Sequence, residues 1–153
     1  MKKIMFVCTG NICRSAMADF LLKNKLEKLG LQGKCIVLSA GTYAYDGDHS
    51  TYDAIKVMEN EYGIDMSSHR ATAIRNSKIE EVDLVLCMTN SHKYTLDMLY
   101  PAMVNKIFLL KDYIGNKGEI ADPYGLGYEI YKECAKEINE CIDVLINKEF
   151  GGI

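Results

Sequence analysis

The chain has 153 residues, 48% of them apolar, with 18 Lys and Arg set against 21 Asp and Glu, so a single domain spanning 1–153 can bury a core without disulfides or metal. The net charge of −3 and pI near 5.6 lack the basic footprint of a nucleic-acid reader, and no apolar stretch approaches the length of a membrane span. The six cysteines form no C-x-x-C pair, and the apolar run after Met1-Lys2-Lys3 ends too soon for a signal peptide, which points to reduced thiols in the cytoplasm and to no metal site.

Ile4-Met5-Phe6-Val7 is short, apolar and partly β-branched, the pattern of a buried parallel strand. From Ser15 the apolar positions Met17, Phe20, Leu21, Leu22, Leu26 and Leu29 recur at helical spacing, and Gly30 supplies a stop. Between them lies the loop Cys8-Thr9-Gly10-Asn11-Ile12-Cys13-Arg14. A loop that leaves a strand and opens into a helix can turn its N–H groups inward under the positive end of the helix, which makes an anion site of phosphate size. Gly10 and Asn11 are residue types that accept the left-handed backbone angles such a curl requires. A helix N-terminus with Arg14 nearby favours the thiolate of Cys8, the nucleophilic form. Arg14 offers a planar fork of donors for two phosphate oxygens, and Ser15 can donate its hydroxyl to sulfur when sulfur leaves.

Cys35-Ile36-Val37-Leu38 reads as a second strand, followed by Ser39-Ala40-Gly41 and a loop over Thr42–Ser50. Tyr43 and Tyr45 in that loop either line a cleft above the anion site or cover an edge of the core. Asp46-Gly47-Asp48 lacks the ligand spacing of an EF-hand. A helix is expected over Thr51–Tyr62, closed by Gly63, with Ala54, Ile55, Met58 and Tyr62 on one face. Ile64–Lys78 is polar and irregular. Val82–Met88 reads as a central buried strand, capped into a short helix by Thr89 or Asn90 and stopped at Pro101, and Ile107–Leu110 as a fourth strand. The final helix, through Tyr131, Cys134, Ile138, Cys141, Leu145 and Ile146, has the strongest helical periodicity and reads as structural, with Phe150–Ile153 frayed. Alternating strands and helices imply an α/β fold with a parallel sheet covered by helices on both faces.

Cys8 to Arg14 followed by Ser15, placed after the first strand, resembles the signature of the low-molecular-weight protein tyrosine phosphatases. The resemblance covers most of the chain and implies a three-layer, four-stranded sheet in the order 2-1-3-4. It implies hydrolysis of phosphotyrosine on protein substrates, without a cofactor, by a monomer or weak dimer. Cys8 would be the nucleophile, Arg14 the phosphate clamp, and Thr9, Gly10, Asn11, Ile12, Cys13 and Ser15 the phosphate-binding loop. The reaction needs an acid to protonate the leaving oxygen, and Asp122-Pro123-Tyr124 matches the family's acid loop, with Pro123 stiffening the turn. Ser39 and Ser68 are the candidates for hydrogen-bonding the loop, Tyr43 and Tyr124 for the cleft wall. His69 reads as a structural histidine rather than a catalyst.

Two departures from the family pattern are Ala16 in place of a proline and Gly125 in place of a second tyrosine. Relatives that hydrolyse phosphoarginine carry Thr where this chain has Ile12, whose apolar surface suits a phenyl ring. Arsenate reductases on the same fold need two further cysteines; Cys87 is present, but Tyr94 stands where the second is expected. A phosphotyrosine-binding module without activity would need neither nucleophile nor acid. Cys13 either pairs with Cys8 under oxidation, the role the resemblance favours, or is a small buried residue.

Overall fold

The computed structural model describes residues 1–151. Four strands, β1 (Lys2–Cys8), β2 (Cys35–Gly41), β3 (Leu84–Cys87) and β4 (Ile107–Leu109), form one parallel sheet in the order β2-β1-β3-β4. Five helices accompany them: α1 (Arg14–Lys28), α2 (Tyr52–Tyr62), α3 (Asn90–Leu99), α4 (Leu110–Tyr113) and α5 (Tyr128–Phe150). This is the three-layer α/β arrangement the alternation implies.

The alternation of side chains along β1 explains why that strand is apolar throughout. Ile4, Phe6 and Cys8 join a core with α1, α2 and α5, whereas Met5 and Val7 join a second core with Val85, Cys87, Ile107 and Leu96 of α3. Tyr131 of α5 is the largest fully buried side chain. Thr51 caps α2 by accepting from the Ala54 N–H, and Gly63 ends it in the left-handed conformation at φ 65°. Thr89, not Asn90, caps α3.

Several boundaries differ from those expected: β1 begins at Lys2 and not Ile4, β3 covers Leu84–Cys87 and not the whole of Val82–Met88, and α4 is an additional element. Leu110 begins α4 instead of ending β4, because it turns into the core under α5 while β4 has paired only three residues with β3. Phe150 remains helical and packs on the core, so it is not frayed; Gly152 and Ile153 lie outside the described residues. No described helix is long and apolar enough to cross a membrane.

At the carboxyl end of the sheet, β1 sits between β2 and β3, the connections leaving in opposite directions. A crevice opens there by construction. Residues 8–14 occupy it.

Candidate active site

The loop after β1 is held from outside by its carbonyls. The N–H groups of Thr42 and Tyr43 donate to the carbonyls of Cys8 and Thr9, and that of Thr51 to Ile12, each at 2.9–3.0 Å. His69 Nε2 donates to the Asn11 carbonyl at 2.7 Å, its ring set edge-on to Phe20. With the carbonyls turned outward, the N–H groups of residues 10–13 make no hydrogen bond among the described residues. Opposite the outward carbonyls of Thr9, Asn11 and Ile12, the N–H groups of Gly10, Ile12 and Cys13 point inward as free donors, and α1 begins beside them without a side-chain cap. Asn11 takes the left-handed conformation at φ 55°, but Gly10, expected to do the same, has a negative φ. One left-handed residue is sufficient for the curl.

The Asn11 side chain orders the surroundings of Cys8. Its Oδ1 accepts from the Thr72 N–H at 2.9 Å, which fixes the amide so that Nδ2 donates to Ser15 Oγ at 2.8 Å. Ser15 Oγ is thereby an acceptor, and its own proton is directed to Cys8 Sγ at 2.9 Å in preference to the Ala40 carbonyl at 3.5 Å. Ser15 can thus stabilise negative charge on sulfur.

Arg14 is buried, with 4% of its side chain accessible. Its Nη1 donates to the Ile120 carbonyl at 2.9 Å, and Nη2 lies 3.4 Å from Thr9 Oγ1 and 3.6 Å from Asp122 Oδ2. Nε has no partner among the described residues. A buried, unpartnered guanidinium donor beside inward-facing amides is a site for an oxyanion.

Asp122 reaches this site through a tethered loop. The Ile120 N–H donates to the Met88 carbonyl just after β3, so the segment before Asp122 is pinned to the sheet. Pro123 has no N–H, and the Tyr124 N–H instead donates to Asp122 Oδ1 at 3.1 Å, which orients the carboxylate. The side chain is 51% accessible, open to water on one side and to Arg14 on the other.

The supporting residues are not those expected from sequence. Ser39 donates to Asp19 Oδ2 at 2.8 Å and not to the loop, because β2 turns it towards α1, and Ser68 is exposed. The support comes from His69, Thr72 and His92, the last through Thr9. A structural role for His69 agrees with its sequence context; no local pattern distinguishes the other two. Tyr43 and Tyr124 are 74% and 62% exposed, and the Tyr43 ring meets Tyr45 edge-on. Cys13 is buried as the residue preceding α1, its Sγ 3.9 Å from Asp122 Oδ1; desolvation, then the charges of Cys8 and Asp122, push its thiol well up. Cys8 and Cys13 are both free thiols. Cys87 lies in the core under α3, its thiol pushed up to about 12 by burial, which leaves it unsuited to relay a disulfide outward.

Gly41 of β2 packs directly against the backbone of the loop. A Cβ there would stand 2.3 Å from the Thr9 carbonyl oxygen and 3.0 Å from the Asn11 nitrogen, both backbone atoms of the loop. Gly41→Ala is therefore expected to lower stability by about 1–3 kcal/mol, roughly 2–12 °C in Tm, and to depress activity with it. Thermal unfolding followed by circular dichroism checks this, and an unchanged Tm would contradict the close approach.

A family model described as low molecular weight phosphotyrosine protein phosphatase matches residues 3–150. The chain is 38% identical over 147 residues to a protein-arginine-phosphatase of Geobacillus stearothermophilus, covering 95% of each. It is 34% identical over 145 residues to the probable low molecular weight protein-tyrosine-phosphatase EpsP of Ralstonia nicotianae, covering 95% of this chain and 94% of that one. Among solved structures it is similar to a low molecular weight protein tyrosine phosphatase from T. tengcongensis, with a TM-score of 0.91, 42% identity and coverage of 97% and 99%. With the loop of unbonded N–H groups, its unpartnered arginine donor and the facing carboxylate, these matches mean that the chain belongs to the low molecular weight phosphotyrosine protein phosphatase family.

Proposed function

We propose that the protein hydrolyses phosphotyrosine on protein substrates in the cytoplasm, through a phosphocysteine intermediate. The observation that carries this reading is the convergence on one crevice of Cys8, the buried Arg14 and Asp122, the last drawn from the opposite part of the chain. The Cys8 thiolate attacks phosphorus in line with the ester oxygen. Arg14 and the loop N–H groups hold the non-bridging oxygens as charge redistributes over them. The bond from phosphorus to the bridging oxygen breaks, its electron pair stays on that oxygen, and Asp122 supplies the proton that makes it a neutral phenol. Asp122, now a carboxylate, takes a proton from water as the water attacks the phosphocysteine. The bond from sulfur to phosphorus breaks, Ser15 receives the thiolate in its hydrogen bond, and inorganic phosphate leaves.

Ile12 bears on the choice of substrate. It is half-buried on the loop, with its side chain over Gly10, and offers an apolar surface beside the phosphate site. A second reading, hydrolysis of phosphoarginine, is favoured by the 38% identity to a protein-arginine-phosphatase. Rates on matched phosphotyrosine and phosphoarginine peptides decide between the two. The expected result is a tyrosine preference that Ile12→Thr reduces by roughly tenfold, because the threonine hydroxyl can hydrogen-bond a guanidinium while offering a phenyl ring less apolar surface. An arginine preference in the unaltered protein would overturn the role given to Ile12.

A further inference from the structure

His92 is a buried ionisable side chain that the proposed chemistry does not use. It belongs to α3, on the other face of the sheet from α1, yet its imidazole ends at the phosphate loop. Nδ1 accepts the Thr89 N–H at 3.1 Å, closing the capping box at the start of α3. Burial, then the charge of Arg14, push the imidazole down to about 4 against the opposing pull of Asp122 and Glu119, so the ring is neutral near pH 7. A neutral ring that accepts at Nδ1 carries its proton on Nε2. Nε2 lies 2.8 Å from Thr9 Oγ1 and therefore donates to it. The same hydroxyl oxygen is 3.4 Å from Arg14 Nη2. A chain of hydrogen bonds thus runs from the Thr89 N–H through His92 and Thr9 to the guanidinium.

We propose that His92 is a positioning residue of the phosphate site: by donating to Thr9 it fixes that hydroxyl as the acceptor for Arg14 Nη2, so that the Nε edge of the guanidinium stays presented to the oxyanion. Without the Nε2 donor, the threonine hydroxyl can rotate and turn its own proton towards Arg14, where it repels instead of holding. Nη1 is anchored independently on the Ile120 carbonyl, so removing the Thr9 hydrogen bond frees one side of the fork only. The expected damage is a looser grip on the oxyanion, with Asp122 left as the remaining neighbour of Nη2.

The inference rests on Arg14 binding the transferring phosphoryl group, as in the proposed reaction. Its test is a double-mutant cycle on the full chain with His92→Ala, Thr9→Val and both together, read as kcat/KM on a phosphotyrosine peptide and as the Kd of inorganic phosphate by calorimetry. Each single substitution is expected to weaken both quantities by about five- to tenfold, the scale of one hydrogen bond. The double variant should be no more than about twofold worse than the weaker single. His92→Ala also removes the α3 cap, whereas Thr9→Val leaves the cap in place and lowers Tm only through the unpartnered His92 Nε2 donor. His92→Gln supplies an amide oxygen for the Thr89 N–H and an amide N–H for Thr9, and is expected to restore phosphate affinity to within about threefold of the unaltered protein.

Losses that multiply in the double variant, Thr9→Val with unchanged phosphate affinity, or His92→Gln as impaired as His92→Ala would each overturn the inference and leave His92 a helix cap alone. Calorimetry keeps this separate from the reaction itself: a protein that binds phosphate and shows the cycle in its phosphate affinity but turns over no phosphopeptide would sink the phosphatase reading and not the role of His92. A protein that binds no phosphate would sink both.

Discussion

Replacing Cys8 with serine is expected to abolish turnover while leaving the fold and the phosphate site intact. In the proposed reaction Cys8 is the member of the site that bonds to phosphorus, and a serine hydroxyl at the same position is far less ionised than a thiol. The substitution is nearly isosteric, and the partners that set the local structure, Ser15, Asn11 and the outward carbonyls, do not depend on sulfur. The loss in kcat should be on the order of 10⁴ or more, as for removal of the nucleophile from other covalent enzymes. Inorganic phosphate should still bind within a few-fold of its normal affinity. Steady-state rates in the presence of chelator, with calorimetric phosphate titration, check both halves. Residual activity above about one part in a hundred of the original would mean that another group attacks phosphorus.

Asp122→Asn carries the second-largest effect. The asparagine keeps the Oδ1 that accepts from the Tyr124 N–H, so the turn survives, but it can neither give nor take the proton. Loss of general acid–base catalysis commonly costs about 10²–10⁴-fold. The size should depend on the leaving group. With phenyl phosphate or a phosphotyrosine peptide the bridging oxygen needs a proton, and the full loss in the first step is expected. With p-nitrophenyl phosphate the leaving phenolate is stable unprotonated, and the first step should fall much less. A uniform loss across leaving groups would reassign Asp122 to holding Arg14, which it approaches at 3.6 Å.

The parts of the site that are legible in the sequence share one property: their information is contiguous. Cys8, Arg14 and Ser15 stand in one short stretch between an apolar run and a helical period, and that strand, loop and helix context implies an anion cradle. Asp122-Pro123 by itself reads as common turn chemistry, and it becomes a candidate acid only together with the cysteine loop and the family it resembles. The helices α1, α2, α3 and α5 and the four strands follow from helical period and apolar runs, with Gly63 closing α2 and Pro101 ending α3. Where expectation and structure part, the choice lies between polar side chains of similar chemistry far apart in the chain. Ser39 and Ser68 are as well suited as His69 to bond the loop, but β2 directs Ser39 to Asp19, and the turn before Arg70 buries His69 while leaving Ser68 in water.

Local sequence was enough to set the order of the four strands and the longer helices, but not α4, and to mark the loop and its candidate nucleophile, because backbone propensity and hydrophobic period act over a few residues. Which distant groups complete the site depended on the packed fold. Asp122 faces Arg14 because Ile120 is pinned to the end of β3, and His92 reaches Thr9, 83 positions earlier in the chain, because α3 starts where β3 ends beside β1. Burial compels such polar groups to find partners, and which partner is within reach is set by the sheet order, a property that no local stretch of residues encodes.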